Sequence, residues 1–207
     1  MSLFITFEGG EGSGKSVQAA ALYRRLSRLM MPALLTHEPG GTPLGEKLSH
    51  CLKWTQDTAI SPLTELLLFN ASRAQLIDEV IHPNLDKRIV ICDRYADSTT
   101  AYQSYGRGID LEMVKAINNA ATQGVQPDLT VLLDMPVEVG LARKNTRRQD
   151  RFEQETVAFH QRVRKGYLKM AATNPERWLV IDASQSKKKI TQIIWQRVSQ
   201  LLLDQGD

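Results

Sequence analysis

Gly9-Gly10-Glu11-Gly12-Ser13-Gly14-Lys15-Ser16 decides the reading of this chain, because it fits the G-x-x-x-x-G-K-[ST] pattern of a phosphate-binding loop. Its flanks fit as well. Leu3-Phe4-Ile5-Thr6-Phe7 is short, apolar and β-prone, so it reads as a buried strand ending at Glu8. On the other side Val17, Ala20, Ala21, Leu22, Leu26, Leu29 and Met30 recur at helical spacing up to Pro32, which completes the order strand, loop, helix. Triphosphate oxygens must be wrapped by main-chain N–H groups, so side chains are missing at Gly9, Gly10, Gly12 and Gly14, and the first helical turn adds its positive end. Lys15 supplies a point charge to the phosphates, and the motif sets the Ser16 hydroxyl on Mg²⁺. The stretch Gly9 to Ser16, with Glu11 and Ser13 inside it, is therefore the candidate triphosphate site.

The chain of 207 residues is read as a single domain, 1–207, long enough to bury a proper core. Its 26 basic residues are nearly balanced by 23 acidic ones, and a net charge of +3 gives no argument for nucleic acid as a partner. Lys187-Lys188-Lys189 lacks interleaved aromatics and reads as a solvated helix face. No apolar run approaches the roughly 18 residues of a bilayer span. A start that passes almost directly into the first strand gives the expectation of no export signal and a cytoplasmic location. Cys51 and Cys92 lack metal or redox spacing, and Cys92, inside an apolar run, reads as a small core residue.

Further β-prone runs at Ala33 to Thr36, Arg88 to Cys92, Leu129 to Leu133 and Trp178 to Ile181 alternate with helical patterns. This predicts an α/β fold, a five-stranded parallel sheet with helices on both faces and the ligand beyond the carboxyl ends of the strands. Glu8, Glu38, Asp93, Asp134 and Asp182 each follow such a run, so acids collect on the edge where the phosphate loop lies. Ser61-Pro62 opens a long amphipathic helix that carries Phe69 and Arg73 one turn apart and stops near Pro83. Asp110 caps another, closed by Gly124. Pro136 opens a third, and Glu153 to Ala172 and Lys187 to Leu203 give two more.

Two features add chemistry to the loop. Ile89-Val90-Ile91-Cys92 followed by Asp93 places a carboxylate beside the metal or its water shell, and Arg94 next to it suits bidentate binding of a second phosphate. Arg143-Lys144-Asn145-Thr146-Arg147-Arg148-Gln149-Asp150-Arg151 is either a solvated charge run or a short basic lid, about 142–151, delivering cations to a transferred phosphoryl group. Glu11 is the unusual loop residue. A carboxylate works against anion affinity, so it points to a donor such as a sugar hydroxyl.

Together these residues resemble the bacterial thymidylate kinases, P-loop nucleoside monophosphate kinases that phosphorylate dTMP with ATP and Mg²⁺. The resemblance runs from Phe7-Glu8-Gly9 through Glu38-Pro39-Gly40-Gly41-Thr42, Asp93-Arg94-Tyr95-Ala96-Asp97-Ser98-Thr99-Thr100-Ala101-Tyr102-Gln103 and Gly106-Arg107-Gly108-Ile109-Asp110 to Asp150-Arg151-Phe152-Glu153. It implies catalytic roles for Lys15, Asp93, Arg94 and Arg147, with Ser16 and Asp93 at the metal. It implies acceptor contacts from Glu8, Glu11, Phe69, Arg73, Arg94, Ser98, Thr99, Tyr102 and Gln103. Phe69 stacks on the thymine, Arg94 holds the acceptor phosphate, Glu11 accepts from the 3′-hydroxyl and Tyr102 blocks a 2′-hydroxyl. Arg143 serves ATP near the lid, the loop Asp182 to Ser186 lies by adenine, and the protein forms a homodimer. His37 and Ser49 stand where the resemblance implies arginines. The competing readings are another acceptor, such as dUMP or a deoxynucleoside, and a nucleotide-dependent switch. The switch lacks its guanine-reading Asn-Lys-x-Asp segment or a second basic loop residue.

Overall fold

The structure is a computed structural model that describes residues 3–55, 59–143 and 149–204. Its strands are β1 (Phe4–Glu8), β2 (Ala33–His37), β3 (Ile89–Asp93), β4 (Leu129–Asp134) and β5 (Trp178–Asp182). They form one sheet in the order β2-β3-β1-β4-β5, every pairing parallel. The helices are α1 (Lys15–Arg28), α2 (Pro43–Trp54), α3 (Pro62–Leu76), α4 (Ala96–Thr99), α5 (Leu111–Thr122), α6 (Val137–Arg143), α7 (Val157–Thr173) and α8 (Lys187–Asp204). Wider π-type turns extend α3 over Ile77–Ile81 and α4 over Thr100–Gly106.

The sheet is parallel because both faces of its central strands are covered. Side chains alternate across a strand, so Ile5 and Phe7 of β1 join Leu22 and Leu26 of α1 and Ile190, Ile194 and Val198 of α8. Phe4 points the other way, with Val90, Cys92, Leu76, Ile77 and Tyr95. Cys92 is fully buried, the small core residue expected of it. The register pairs Phe7 and His37 with Asp93, and Asp134 with Asp182, so the acids at the strand ends share one edge. β1 lies between β3 and β4; its own connection runs to β2 on one side, whereas the connection from β3 crosses to β4 on the other, opening a crevice at the carboxyl end of β1.

Several helix boundaries differ from the periodicity. The helix expected from Glu153 begins at Val157, because Thr156 caps it by accepting from Phe159 N at 3.2 Å. Before it, Asp150 Oδ1 gathers the N–H groups of Phe152 and Glu153 into turns. The helix expected to reach Pro83 keeps α geometry only to Leu76. Helix α2 is hidden in a Pro/Gly-rich stretch, and is set by the Thr42 cap on Gly45 N and by proline at its first position. The stretch Asp93 to Gln103 leaves β3 and runs through α4 into the wider turns that follow it. Asp110 caps α5 as anticipated, accepting from Met113 N at 2.9 Å.

The phosphate loop is held by main chain against main chain. A Cβ on Gly12 would stand 2.0 Å from the carbonyl oxygen of Gly140, and one on Gly140 would stand 2.3 Å from that of Glu11. Helix α6 thus supports the loop only through paired glycines. Gly140→Ala is expected to cost about 1–3 kcal/mol through this overpacking and to weaken triphosphate binding by displacing the loop. Urea denaturation and a nucleotide titration check the two effects.

Candidate active site

A cleft of about 800 Å³ opens at the carboxyl edge, with the loop residues Gly12, Gly14, Lys15 and Ser16 on one wall and Phe69, Arg73, Tyr102 and Gln103 on the other. On the loop side Gly9 and Gly14 adopt positive φ, and α1 starts at Lys15, so its free N–H groups face the cleft. Gly10 O accepts from Ser13 Oγ at 2.9 Å, which closes the loop on itself. The Lys15 ammonium donates to Gly9 O at 3.0 Å and Gly10 O at 2.7 Å. Burial, with the nearby Arg94 charge, lowers its pKa to about 8. Ser16 Oγ donates to Asp93 Oδ2, while the buried Asp93 Oδ1 has no hydrogen-bond partner. A hydroxyl and a carboxylate in contact, one oxygen unsatisfied, form a hard-oxygen donor set that fits Mg²⁺. Among the described residues no cluster of three or more His, Cys, Asp or Glu is gathered for a metal, and Mg²⁺ ordinarily takes only one or two carboxylates plus phosphate oxygens.

Glu11 points out of the loop, as expected, but its donors belong to the protein. Arg94 Nη2 donates to its Oε1 at 2.8 Å and the Tyr102 hydroxyl at 3.0 Å. Arg94 reaches this place because its backbone is left-handed, with φ 70°, which costs a non-glycine residue about 1–2 kcal/mol. The turn folds the guanidinium back over the loop, where Nη1 also donates to Gly9 O and Ser98 Oγ, both at 3.2 Å.

Glu8 stands one layer beneath the cleft rather than on its wall. It is fully buried and accepts from Tyr95 N at 2.8 Å, Ser98 Oγ at 2.5 Å and Tyr167 Oη at 2.9 Å. Desolvation, reinforced by Asp97, raises its pKa to about 7. The expectation of a direct acceptor contact is thereby corrected to a supporting one, since the carboxylate reaches the cleft only through Ser98 and Arg94. Tyr167 carried no signal in the sequence, where it looks like one more apolar position of α7.

On the far wall Arg73 is almost entirely buried, and all five of its donors are used. Nε and Nη2 hold Glu38, at 2.9 and 2.6 Å to Oε2, Nη2 also reaches Thr99 Oγ1 at 2.8 Å, and Nη1 serves Asn70 and Asn118. Arg73 therefore braces the wall. Phe69 tilts against Phe152, ring centroids 5.5 Å apart. Gln103 donates through Nε2 to Glu65 at 2.8 Å, and its buried Oε1 has no protein partner. Ser98, Thr99, Tyr102 and Gln103 all line the cleft.

Arg143 Nη1 donates to Ala183 O at 3.1 Å, joining the end of α6 to the loop Asp182 to Ser186. Arg147 and most of the basic stretch lie outside the described residues. Asp150 and Arg151 close that stretch, and Arg151 is anchored to Glu65 at 2.6 Å and to Leu52 O at 3.0 Å. His37 lines the cleft with Nε2 3.0 Å from Glu46 Oε1, whereas Ser49 is buried in α2. Glu38 and Phe152, both within motifs read from the sequence, line the cleft, whereas Asn118 and Lys53 escape sequence reasoning. Each of the latter two is unremarkable along the chain and is brought to the site by packing.

This sheet, with a phosphate loop facing an arginine-bearing second pocket, defines a P-loop phosphotransferase. The thymidylate kinase family model matches residues 7–194. The chain is 58% identical over 203 residues to the thymidylate kinase of Dehalococcoides mccartyi (strain CBDB1), covering 98% of each. It is 48% identical over 200 residues to that of Trichlorobacter lovleyi, covering 93% and 94%. The solved thymidylate kinase of Ehrlichia chaffeensis superposes with a TM-score of 0.78 at 35% identity, over 97% of this chain and 98% of that one. The chain belongs to the thymidylate kinase family.

The raised pKa of Glu8 sets a sign for stability. The folded state holds a proton on Glu8 that the unfolded chain has already released above pH 4.5. Its contribution is fully present below 4.5 and is lost as pH rises to about 7, by roughly 3 kcal/mol. Urea denaturation between pH 4.5 and 8 is expected to show this decline, and Glu8→Gln to flatten it.

Proposed function

We propose that the protein transfers the γ-phosphoryl group of ATP to dTMP, giving dTDP, with the site residues in the following roles. The N–H groups from Gly9 to Ser16 and the Lys15 ammonium hold the β- and γ-phosphates, and Arg143 with the Asp182 to Ser186 loop lies beside the adenosine. Ser16 and Asp93 hold Mg²⁺, which supplies neutralisation of phosphate charge when bound. Arg94 binds the acceptor phosphate, bringing its oxygen in line with the γ-phosphorus. No covalent enzyme intermediate is needed, because the work is positioning and charge stabilisation. Arg147 serves as the lid cation in this reading.

The observation that carries the acceptor assignment is the unsatisfied Gln103 Oε1 on a wall that also holds Phe69 and Thr99. A buried acceptor without a partner suits the imino N–H of a pyrimidine base, and the Phe69 face suits stacking on it. Glu11 and Tyr102 stand beside Arg94, where a deoxyribose linking base and phosphate would lie. The Glu11 carboxylate accepts from its 3′-hydroxyl, and the Tyr102 ring leaves no room at the 2′ position.

A cytoplasmic homodimer belongs to the same proposal. Its support is the family resemblance together with Leu63 and Leu67 of α3, which are about half exposed; no described helix is long and apolar enough to cross a membrane. Sedimentation at micromolar concentration is expected to give twice the chain mass, and a single-chain mass overturns this part.

An acceptor panel with labelled ATP tests the function. dTMP is expected to have the highest kcat/KM, and dUMP to be lower by about 10–200-fold, the discrimination available from one methyl group. Preference for any other acceptor overturns the assignment.

A further inference from the structure

One cation on the cleft wall has no part in the arrangement above. Lys53 stands in the last turn of α2 and lines the cleft beside Asp150, Phe152 and Arg94. The other cations of the wall are engaged within the protein. Arg94 pairs with Glu11 and Arg73 with Glu38, Lys15 donates to loop carbonyls, and Arg143 donates to Ala183 O. Among the described residues the Lys53 ammonium makes neither an ion pair nor a hydrogen bond. The charges around it are Asp150, Arg94, Glu46 and Glu11, and burial lowers its pKa. A half-desolvated ammonium without a partner is unfavourable, and an anionic ligand relieves it.

The backbone that carries it is fixed. Lys53 O accepts from Arg151 N at 3.2 Å, and Leu52, fully buried, offers its carbonyl to Arg151 Nε. The negative end of α2 also favours a cation in its last turn. One turn earlier Ser49 is buried in this helix and brings no charge, and His37 of the cleft wall is paired with Glu46. The acceptor side therefore depends on Arg94, whose charge Glu11 already balances, and a monophosphate brings about two negative charges.

We propose that Lys53 is a specificity-determining residue that binds the phosphate of the acceptor nucleotide, adding a mobile point charge to the fixed guanidinium of Arg94. The assignment rests on the acceptor lying on this side of the cleft, as proposed above. A flexible ammonium follows the phosphate without demanding bidentate geometry, which the guanidinium already provides. An acceptor lacking the phosphate gains nothing from Lys53.

Calorimetric titration of dTMP and of thymidine into the full-length wild type, Lys53→Met and Lys53→Arg tests this. Lys53→Met keeps the apolar stem and removes the charge. It is expected to weaken dTMP about tenfold, as for loss of a charge-assisted contact, to leave thymidine affinity unchanged and to leave KM for ATP unchanged. Lys53→Arg is expected to retain most of the dTMP affinity. Unaltered dTMP binding in Lys53→Met overturns the assignment, and so does an equal loss for dTMP and thymidine, which marks a structural role. A wild type that does not bind dTMP overturns the acceptor reading itself, and the assignment with it.

Discussion

Arg94 and Glu11, 2.8 Å apart at the mouth of the phosphate loop, join the two halves of the cleft. An arginine alone beside a loop of anion-binding N–H groups and Lys15 would leave a strongly cationic, partly desolvated pocket. Glu11 balances that charge, and Tyr102 donates to the same carboxylate oxygen. The contact depends on the left-handed backbone of Arg94 and on the outward direction of Glu11. Its geometry rests in turn on the glycine contact between the loop and α6, because any side chain there would displace Glu11.

Beneath this pair lies a second polar layer, centred on Glu8. Its carboxyl collects donors from the turn after β3, from α4 and from α7, and so fixes Ser98 and the loop that carries Arg94. Arg73 does the same on the far wall, drawing Glu38, Asn70, Asn118 and Thr99 together. Buried polar groups that are fully satisfied hold a wall rigidly. Of the four buried side-chain atoms without a hydrogen bond among the described residues, Asp93 Oδ1 and Gln103 Oε1 belong to cleft-lining residues, where a bound metal ion and base would supply the missing partners. The Lys53 ammonium, also without a partner among the described residues, is the charged counterpart of these atoms on the cleft wall.

Sheet and loop were legible because they rest on local rules. Apolar runs ending in acids gave every strand to within about a residue, and the glycine spacing of the loop needed no tertiary information. Helix α7 starts later than the periodicity predicts, because Glu153 continues a helical pattern that the Asp150 and Thr156 side chains interrupt. Helix α2 is not legible along the chain, because Thr42, Pro43 and Gly45 suit a loop as well as a helix start and the Thr42 cap on Gly45 N forms only in the fold.

By itself the sequence determined the phosphate loop, the parallel sheet with both faces buried, and the acids and Arg94 at its carboxyl edge, since strand period and glycine spacing act over a few residues. Only the tertiary structure decided which cations are already neutralised and which are not. Glu11 is bound to Arg94 across 83 positions, Tyr167 to Glu8 across 159, and Lys53 is left on the wall with no partner among the described residues. Those outcomes depend on distances between elements far apart in the chain, and no local pattern of residues encodes them.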